Sequence, residues 1–382
     1  MGARALLVSP PTATGPLPLT VGVRPFAAPR PSDAVVAVVY GGICGSDLHY
    51  WQHGQVGESV LRAPMVLGHE VVGIVAEPAA DGTGPARGSR VAVHPAQVCG
   101  ACTYCRRGDE HLCADLRYLG SAARTPHTDG GFAELLVLPA RRLVPIPDAL
   151  DMRTAALAEP ASVALHGLRR VRALGRAVEG ADVLVIGAGP IGLLAVALAA
   201  ASGAATITTT DIHDRPLTVA LRAGATHVVR AEVSVRGRTV KAADAKPVAA
   251  RDGEVAGGNA AAGDTIPTAD IAIESSGSPH GLATALRALR RGGVMVNVGH
   301  LPVSGVSVPL HLAVPRELTL MGSSRFYHEM PAALETMSRN VERFAPIVTA
   351  VFPLDQAEHA FHEAAATERS SKVLLSFTAA ET

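Results

Sequence analysis

The cysteines carry the plainest chemical signal in this 382-residue chain. Four of the five, Cys99, Cys102, Cys105 and Cys113, follow the spacing C-x2-C-x2-C-x7-C, with Gly100 and Gly108 where the loop must fold back on itself. Four thiolates so spaced close a tetrahedral shell around Zn2+ and leave no position for another ligand, which describes a structural site. Arg106 and Arg107 lie inside the loop, where they can offset the negative charge of such a shell. The fifth cysteine, Cys44, stands in Gly41-Gly42-Ile43-Cys44-Gly45-Ser46-Asp47, and Gly68-His69-Glu70 follows downstream. A thiolate, an imidazole and a carboxylate bind zinc and keep one position open for water or substrate, so this second set is catalytic in kind. Two zinc ions per chain are therefore expected. A nucleic-acid-binding zinc module and a redox disulfide pair compete with the structural-site reading. The balanced charge speaks against the first, and a reducing compartment against the second.

A third motif, Gly187-Ala188-Gly189-Pro190-Ile191-Gly192, directly follows the apolar run Val183 to Ile186 and opens the helical run Leu193 to Ala201. In that setting the first glycine allows the tight turn, the second lets backbone approach a pyrophosphate, and the third lets helix and strand pack. The helix N-terminus then offers free N–H groups to the anion. Asp211 ends the next strand, 19 residues past Gly192, where a carboxylate can accept hydrogen bonds from an adenosine ribose. A carboxylate there repels a 2′-phosphate, which favours NAD over NADP; Arg215 leaves NADP possible.

These groups must be held by two kinds of architecture. Residues 1–160 read as short strands and turns, with β-rich runs Val35 to Tyr40, Val71 to Ala76 and Arg90 to Val93. From about Ala155, helical runs alternate with the apolar strands Val183 to Ile186, Thr206 to Thr210, Ile271 to Ile273 and Val294 to Val298, the pattern of a parallel sheet with helices on its faces. The expected division is a mainly β domain over 1–160, carrying the cysteine lobe at about 97–115. A nucleotide-binding domain follows over 161–300, with an exposed, mobile insertion at 231–268. The first domain resumes over 301–382, with a closing helix at Asp355 to Ala366 and a strand at Val373 to Phe377.

Composition narrows the remaining classes. Basic and acidic residues number 34 each, so nothing suggests a surface for nucleic acid or anionic lipid. Apolar residues make up 48% against 18% charged, enough for packed cores and far from a disordered chain. No signal peptide is visible at the N-terminus, and clustered rather than scattered cysteines suit the cytoplasm. The uncharged stretch Val183 to Ala201 has the length of a membrane span, but its glycines belong to the dinucleotide motif, so no membrane partner is expected.

On Cys44, Ser46, His49, His69, Glu70, the tetracysteine loop and the glycine motif, the sequence resembles the zinc-containing medium-chain alcohol and polyol dehydrogenases. The resemblance covers nearly the whole chain except 231–268. It implies an α/β Rossmann coenzyme domain inserted within a mainly β, GroES-like catalytic domain. The implied reaction is oxidation of a secondary alcohol with hydride transfer to the nicotinamide. It implies Cys44 and His69 as zinc ligands, with Glu70 a direct or an outer ligand. The second cysteine that alcohol dehydrogenases bring to the metal is replaced here by Ala158-Glu159-Pro160, as in the polyol branch, which makes Glu159 the other candidate ligand or acid–base group. Thiolate plus one carboxylate neutralises Zn2+, so Glu70 and Glu159 are not expected to bind it directly together. Asp47 is expected to orient His69 through the second ring nitrogen, and Ser46 with His49 to relay the departing proton. Local strings, Cys44 to Gly54, Pro64 to Glu70, Gly120-Ser121-Ala122, His127, Asp129 to Phe132 and Gly322-Ser323-Ser324-Arg325-Phe326, resemble the members that oxidise sugar acids. They nominate Tyr50, Phe132 and Arg325 as substrate contacts, Arg325 because a guanidinium grips a carboxylate through two parallel hydrogen bonds. The same arginine serves neutral hydroxyls in polyol dehydrogenases, so a sorbitol- or xylitol-type substrate stays open, as does a non-catalytic NAD-binding protein. A homodimer or homotetramer is the family expectation.

Overall fold

A computed structural model of the chain describes residues 2–10, 15–26, 28–231 and 266–377. The expected insertion at 231–268 falls almost wholly outside them.

Six parallel strands form one sheet, in the order His227–Arg230, Thr206–Asp211, Asp182–Ile186, Ala269–Glu274, Leu289–Asn297, Thr319–Gly322. Numbered along the chain this is 3-2-1-4-5-6, the doubly wound arrangement, whose ligand crevice opens where the strand order reverses, between Asp182–Ile186 and Ala269–Glu274. One of its helices is apolar for a reason: the 12-residue Pro190–Ala201, short of the roughly 30 Å of a bilayer core, is buried against the sheet and the helix Ala158–Ala173. No helix among the described residues is long and apolar enough to cross a membrane.

The second sheet runs Leu143–Pro145, Arg90–Val93, Glu70–Glu77, Asp33–Gly42, Lys372–Ser376, Val348–Pro353, with Leu135–Pro139 also pairing to Asp33–Gly42. Its register matters for the site. Gly42 stands opposite Glu70 on one side and Leu374 on the other, so the C-terminal strand lies directly against Asp33–Gly42, which leads into Cys44 and pairs with the strand that Glu70 opens.

The β-runs named in the sequence all form strands, and the closing helix and strand appear at Ala357–Ala365 and Lys372–Ser376. The return at residue 301 does not hold. Thr319–Gly322 is the sixth strand of the parallel sheet, and Met330–Ser338 packs on Ala158–Ala173. The chain rejoins the mainly β sheet only at Val348–Pro353. The Thr319–Gly322 run is too short for periodicity to say which sheet completes it.

Candidate active site

The metal-type residues converge into two groups. One ligand atom from each of Cys44, His69 and Glu70 lies within 4.8 Å of the others, and so do the sulfurs of Cys99, Cys102, Cys105 and Cys113. In the second group the Sγ separations Cys102 to Cys105, Cys113 to Cys99, Cys99 to Cys105 and Cys102 to Cys113 are 3.5, 3.5, 3.9 and 4.0 Å. A tetrahedron with Zn–S bonds near 2.3 Å has edges of about 3.8 Å, whereas a disulfide needs about 2.05 Å, so the lobe fits a zinc ion and holds no disulfide. Arg107 is turned to Asp109, at 2.6 Å, rather than to the sulfurs.

Local backbone explains how Cys44 and His69 meet. Cys44 precedes the helix Gly45–His53, and Gly68 turns the chain into Glu70–Glu77 at a φ of 93°. Asp47, fully buried, ties the two together: its Oδ2 accepts the Cys44 N–H at 2.9 Å and its Oδ1 accepts the Gly68 N–H at 3.1 Å. The expected hydrogen bond from Asp47 to the His69 ring is absent among the described residues. Each carboxylate oxygen instead accepts a backbone N–H beside Cys44 or His69, so Asp47 ties together the loops that carry these two residues. Its burial pushes its carboxyl up, with His69 pulling the other way.

Lys372 is the group that sequence reasoning missed. Only 1% exposed, its Nζ donates to Glu70 Oε1 and Oε2 at 2.7 and 2.6 Å and to the Ile43 carbonyl at 3.0 Å, which uses all three of its protons. Gly42 makes the pair possible, since a Cβ there would lie 2.1 Å from Glu70 Oε2. Burial works against the ammonium, but Glu70, with the Cys44 and Glu159 charges, outweighs it and holds the Lys372 pKa above its usual value. A lone lysine ahead of the apolar Val373 to Leu375 was the available hint.

Glu159 reaches the same region from the first turn of Ala158–Ala173. Its Oε1 accepts the Tyr118 hydroxyl at 2.6 Å. Burial raises its pKa to about 7, His69 opposing. Tyr118, also missed, lies with its ring centroid 5.8 Å from that of His69 and 5.4 Å below the Arg325 guanidinium.

Of the substrate candidates, Arg325 is exposed and held at a φ of 55°, one of two non-glycine residues in the left-handed region among those described. Such strain persists only where the surroundings impose it. His94 Nε2 meets the Tyr327 carbonyl at 2.9 Å on one side. Its burial lowers its pKa to about 4, so near pH 7 the ring is neutral. On the other side Glu329 Oε2 accepts the Tyr327 and His328 N–H groups, both at 3.1 Å. Tyr50 and Phe132 depart from expectation. Phe132 is 0% exposed, filling a slot against Gly41 and Gly68, where a Cβ on Gly68 would come within 2.1 Å of its ring. Tyr50 is 2% exposed, and its hydroxyl accepts the Ala122 N–H at 2.9 Å. Both join the hydrophobic cluster that includes Ile43, Met65 and Leu67, where their rings gain more from burial than from lining a wet cleft. Ser46 is half-buried on the helix Gly45–His53, and His49, open to solvent on one side, has its pKa lowered by partial desolvation with His53 and His300 nearby.

The glycine motif stands at the strand-order reversal. Gly187 has a φ of 92°, and a Cβ on Gly192 would sit 1.9 Å from the Gly187 carbonyl oxygen. A Cβ on Gly189 would meet nothing within 4 Å. That open space lies over the N-terminus of Pro190–Ala201, where Pro190 and Ile191 form the first turn, and it fits a pyrophosphate. Asp211 ends the adjacent strand, its carboxylate accepting the Ala188 and His213 N–H groups at 2.8 and 2.9 Å; Arg215 is exposed on the helix that follows.

Fold and site together define a two-domain metal-dependent dehydrogenase. Residues 30–148 match the alcohol dehydrogenase GroES-like domain family and residues 190–339 the zinc-binding dehydrogenase family. The chain is 34% identical over 343 residues to L-idonate 5-dehydrogenase (NAD(P)(+)) of Escherichia coli (strain K12), covering 90% of this chain and 91% of that one. It is 32% identical to sorbitol dehydrogenase of Bacillus subtilis (strain 168), over 87% of this chain and 86% of that one. The crystal structure of the Escherichia coli L-idonate 5-dehydrogenase superposes with a TM-score of 0.81 at 30% identity, covering 98% of each chain. The chain belongs to the zinc-binding medium-chain dehydrogenases, which act on CH–OH donors.

Proposed function

We propose that this protein oxidises the C5 hydroxyl of L-idonate to 5-keto-D-gluconate, with NAD as hydride acceptor and NADP a possible substitute. The observation that supports it best is the convergence of Cys44, His69 and Glu70, with Arg325 in the left-handed backbone region and its guanidinium over the Tyr118 ring, just ahead of the hydrogen-bonded Tyr327 and His328. Likeness to an L-idonate 5-dehydrogenase over nine-tenths of the chain agrees with it.

Cys44, His69 and one of Glu70 and Glu159 would hold the catalytic zinc, and the four clustered cysteines the structural one. The catalytic ion supplies Lewis acidity toward a hydroxyl, and the dinucleotide supplies the hydride acceptor. The chain's own residues do the rest. Arg325 grips the substrate's acid end through paired N–H donors, which orients the carbon chain. Ser46 accepts the substrate's hydroxyl proton as it gives up its own toward His49, whose lowered pKa lets it release a proton to solvent. Lys372 answers the charge objection raised by two carboxylates: with its cation counted, the thiolate, Glu70, Glu159 and a divalent ion balance to neutrality. Asp211 accepts hydrogen bonds from the adenosine ribose once its carboxylate turns outward. Unbridged cysteines suit the cytoplasm, and assembly as a dimer or tetramer is part of this reading.

The test is a substrate panel on zinc-loaded protein with both cofactors. L-idonate turned over with kcat/KM well above that of sorbitol and xylitol is the expected result. Preference for the polyols would transfer the reading to a sorbitol-type enzyme, and NAD+ binding without turnover of any substrate would end it.

A further inference from the structure

Tyr118 touches both ends of the proposed reaction site. It belongs to the two-residue strand Arg117–Tyr118, paired antiparallel with Ala96–Gln97, which leads out of the tetracysteine lobe. Its hydroxyl donates to Glu159 Oε1 at 2.6 Å, while Glu159 Oε2 accepts no hydrogen bond among the described residues. Its ring lies 5.4 Å from the Arg325 guanidinium, within the range of an attractive cation–π contact. The other ionic neighbours do not do this work. Lys372 is spent on Glu70 and Ile43, and Asp47 on Cys44 and Gly68.

We propose that Tyr118 is a two-ended positioning residue. Its hydroxyl pins one oxygen of Glu159 so that the other faces the cleft, and its ring supports Arg325. One side chain thereby sets the spacing between the group that grips the substrate's charged end and the carboxylate beside the reacting carbon. This rests on the function proposed above for Arg325 and Glu159, and it assigns the two halves of Tyr118 to two different kinetic parameters.

The experiment compares Tyr118→Phe and Tyr118→Leu in the full zinc-loaded chain, with Tyr104→Phe, an exposed tyrosine of the cysteine lobe, as control. Tyr118→Phe should lower kcat about tenfold, the usual effect of losing a hydrogen bond to a charged group, with KM for the sugar acid unchanged. Tyr118→Leu should in addition raise KM about threefold to tenfold, because the ring under Arg325 is gone. In a Glu159→Gln background, Tyr118→Phe should add less than twofold. Unchanged kcat in Tyr118→Phe, equal KM in the two variants, or losses that multiply with Glu159→Gln would each overturn the proposal. Loss of zinc or a collapsed thermal midpoint in Tyr118→Phe would overturn it too, since a hydroxyl that only positions Glu159 leaves both in place. If no sugar acid or polyol is oxidised, the functional reading fails, and the positioning claim is read from cobalt-substituted protein. Its visible absorption should then change in Tyr118→Phe and not in Tyr104→Phe, and identical spectra would refute it.

Discussion

Replacing Lys372 by methionine tests the electrostatics of the metal pocket most directly. The substitution keeps an unbranched apolar stem of similar length and removes the one cation that contacts Glu70 at 2.6 and 2.7 Å in a site where the two side chains are 2% and 1% exposed. Deleting one partner of a buried pair strands the other charge, at a cost of about 3–5 kcal/mol. A solvent-exposed pair offers the contrast. Arg339 and Glu335, 73% and 51% exposed, lie four residues apart at the C-terminal end of Met330–Ser338, and Arg339→Met should change stability by no more than about 0.5 kcal/mol. The assay is urea unfolding of zinc-loaded protein, read as a shift in midpoint at constant slope. Lys372→Met combined with Glu70→Gln should recover most of the loss, because no buried charge then remains unpaired. The sign of the pH dependence follows from the raised Lys372 pKa. The pair's contribution is complete below the unfolded lysine pKa near 10.4 and disappears as pH climbs through the higher folded value. The wild type should therefore lose more stability in alkali than Lys372→Met, in which the tyrosines with raised pKa, Tyr118 and Tyr327, still contribute to that loss. A Lys372→Met midpoint within about 1 kcal/mol of wild type, or a double variant less stable than the single one, would refute the reasoning.

Three further outcomes are expected. Cys113→Ser, which removes the one buried thiolate of the lobe, should reduce metal content from two zinc ions per chain to one and lower the thermal midpoint while NAD+ binding persists, as read by elemental analysis and calorimetry. Asp211→Ala should relax discrimination against NADP+ by about fivefold to tenfold in the ratio of kcat/KM values, and an unchanged ratio would show that another residue sets it. Burial raises the Glu329 pKa, but hydrogen bonds from His166 and the Tyr327 N–H, with the charges of His166 and Arg169, hold it at about 2. This depressed value contributes stability above pH 4.5 that is lost as pH falls toward 2. Glu329→Gln should accordingly cost about 1.5–3 kcal/mol near neutrality and flatten acid unfolding across that window, measured by denaturant titration at several pH values.

The amino-acid sequence by itself determined the features written in short spacings. The tetracysteine loop spans 15 residues, the glycine motif six, and Asp211 stands one strand beyond, so chain geometry alone brings these groups within reach of one ion or one phosphate. Cys44 and Gly68-His69-Glu70 were legible through residue type, since few other arrangements of a buried thiolate, imidazole and carboxylate make sense. Tertiary structure decided the rest. Lys372 meets Glu70 across 302 residues because the C-terminal strand pairs with Asp33–Gly42, a register that no local pattern encodes. Tyr118 reaches Glu159 across 41 residues for the same kind of reason. Tyr50 and Phe132 turn inward although their neighbours line the site, because an aromatic ring reads alike in sequence whether it faces a cleft or a core. Thr319–Gly322 joins the parallel sheet, because a four-residue apolar strand takes its partner from whichever edge is open. Spacing along the chain names the donors, while pairing between distant strands determines which of their charges are neutralised and which stay free to react.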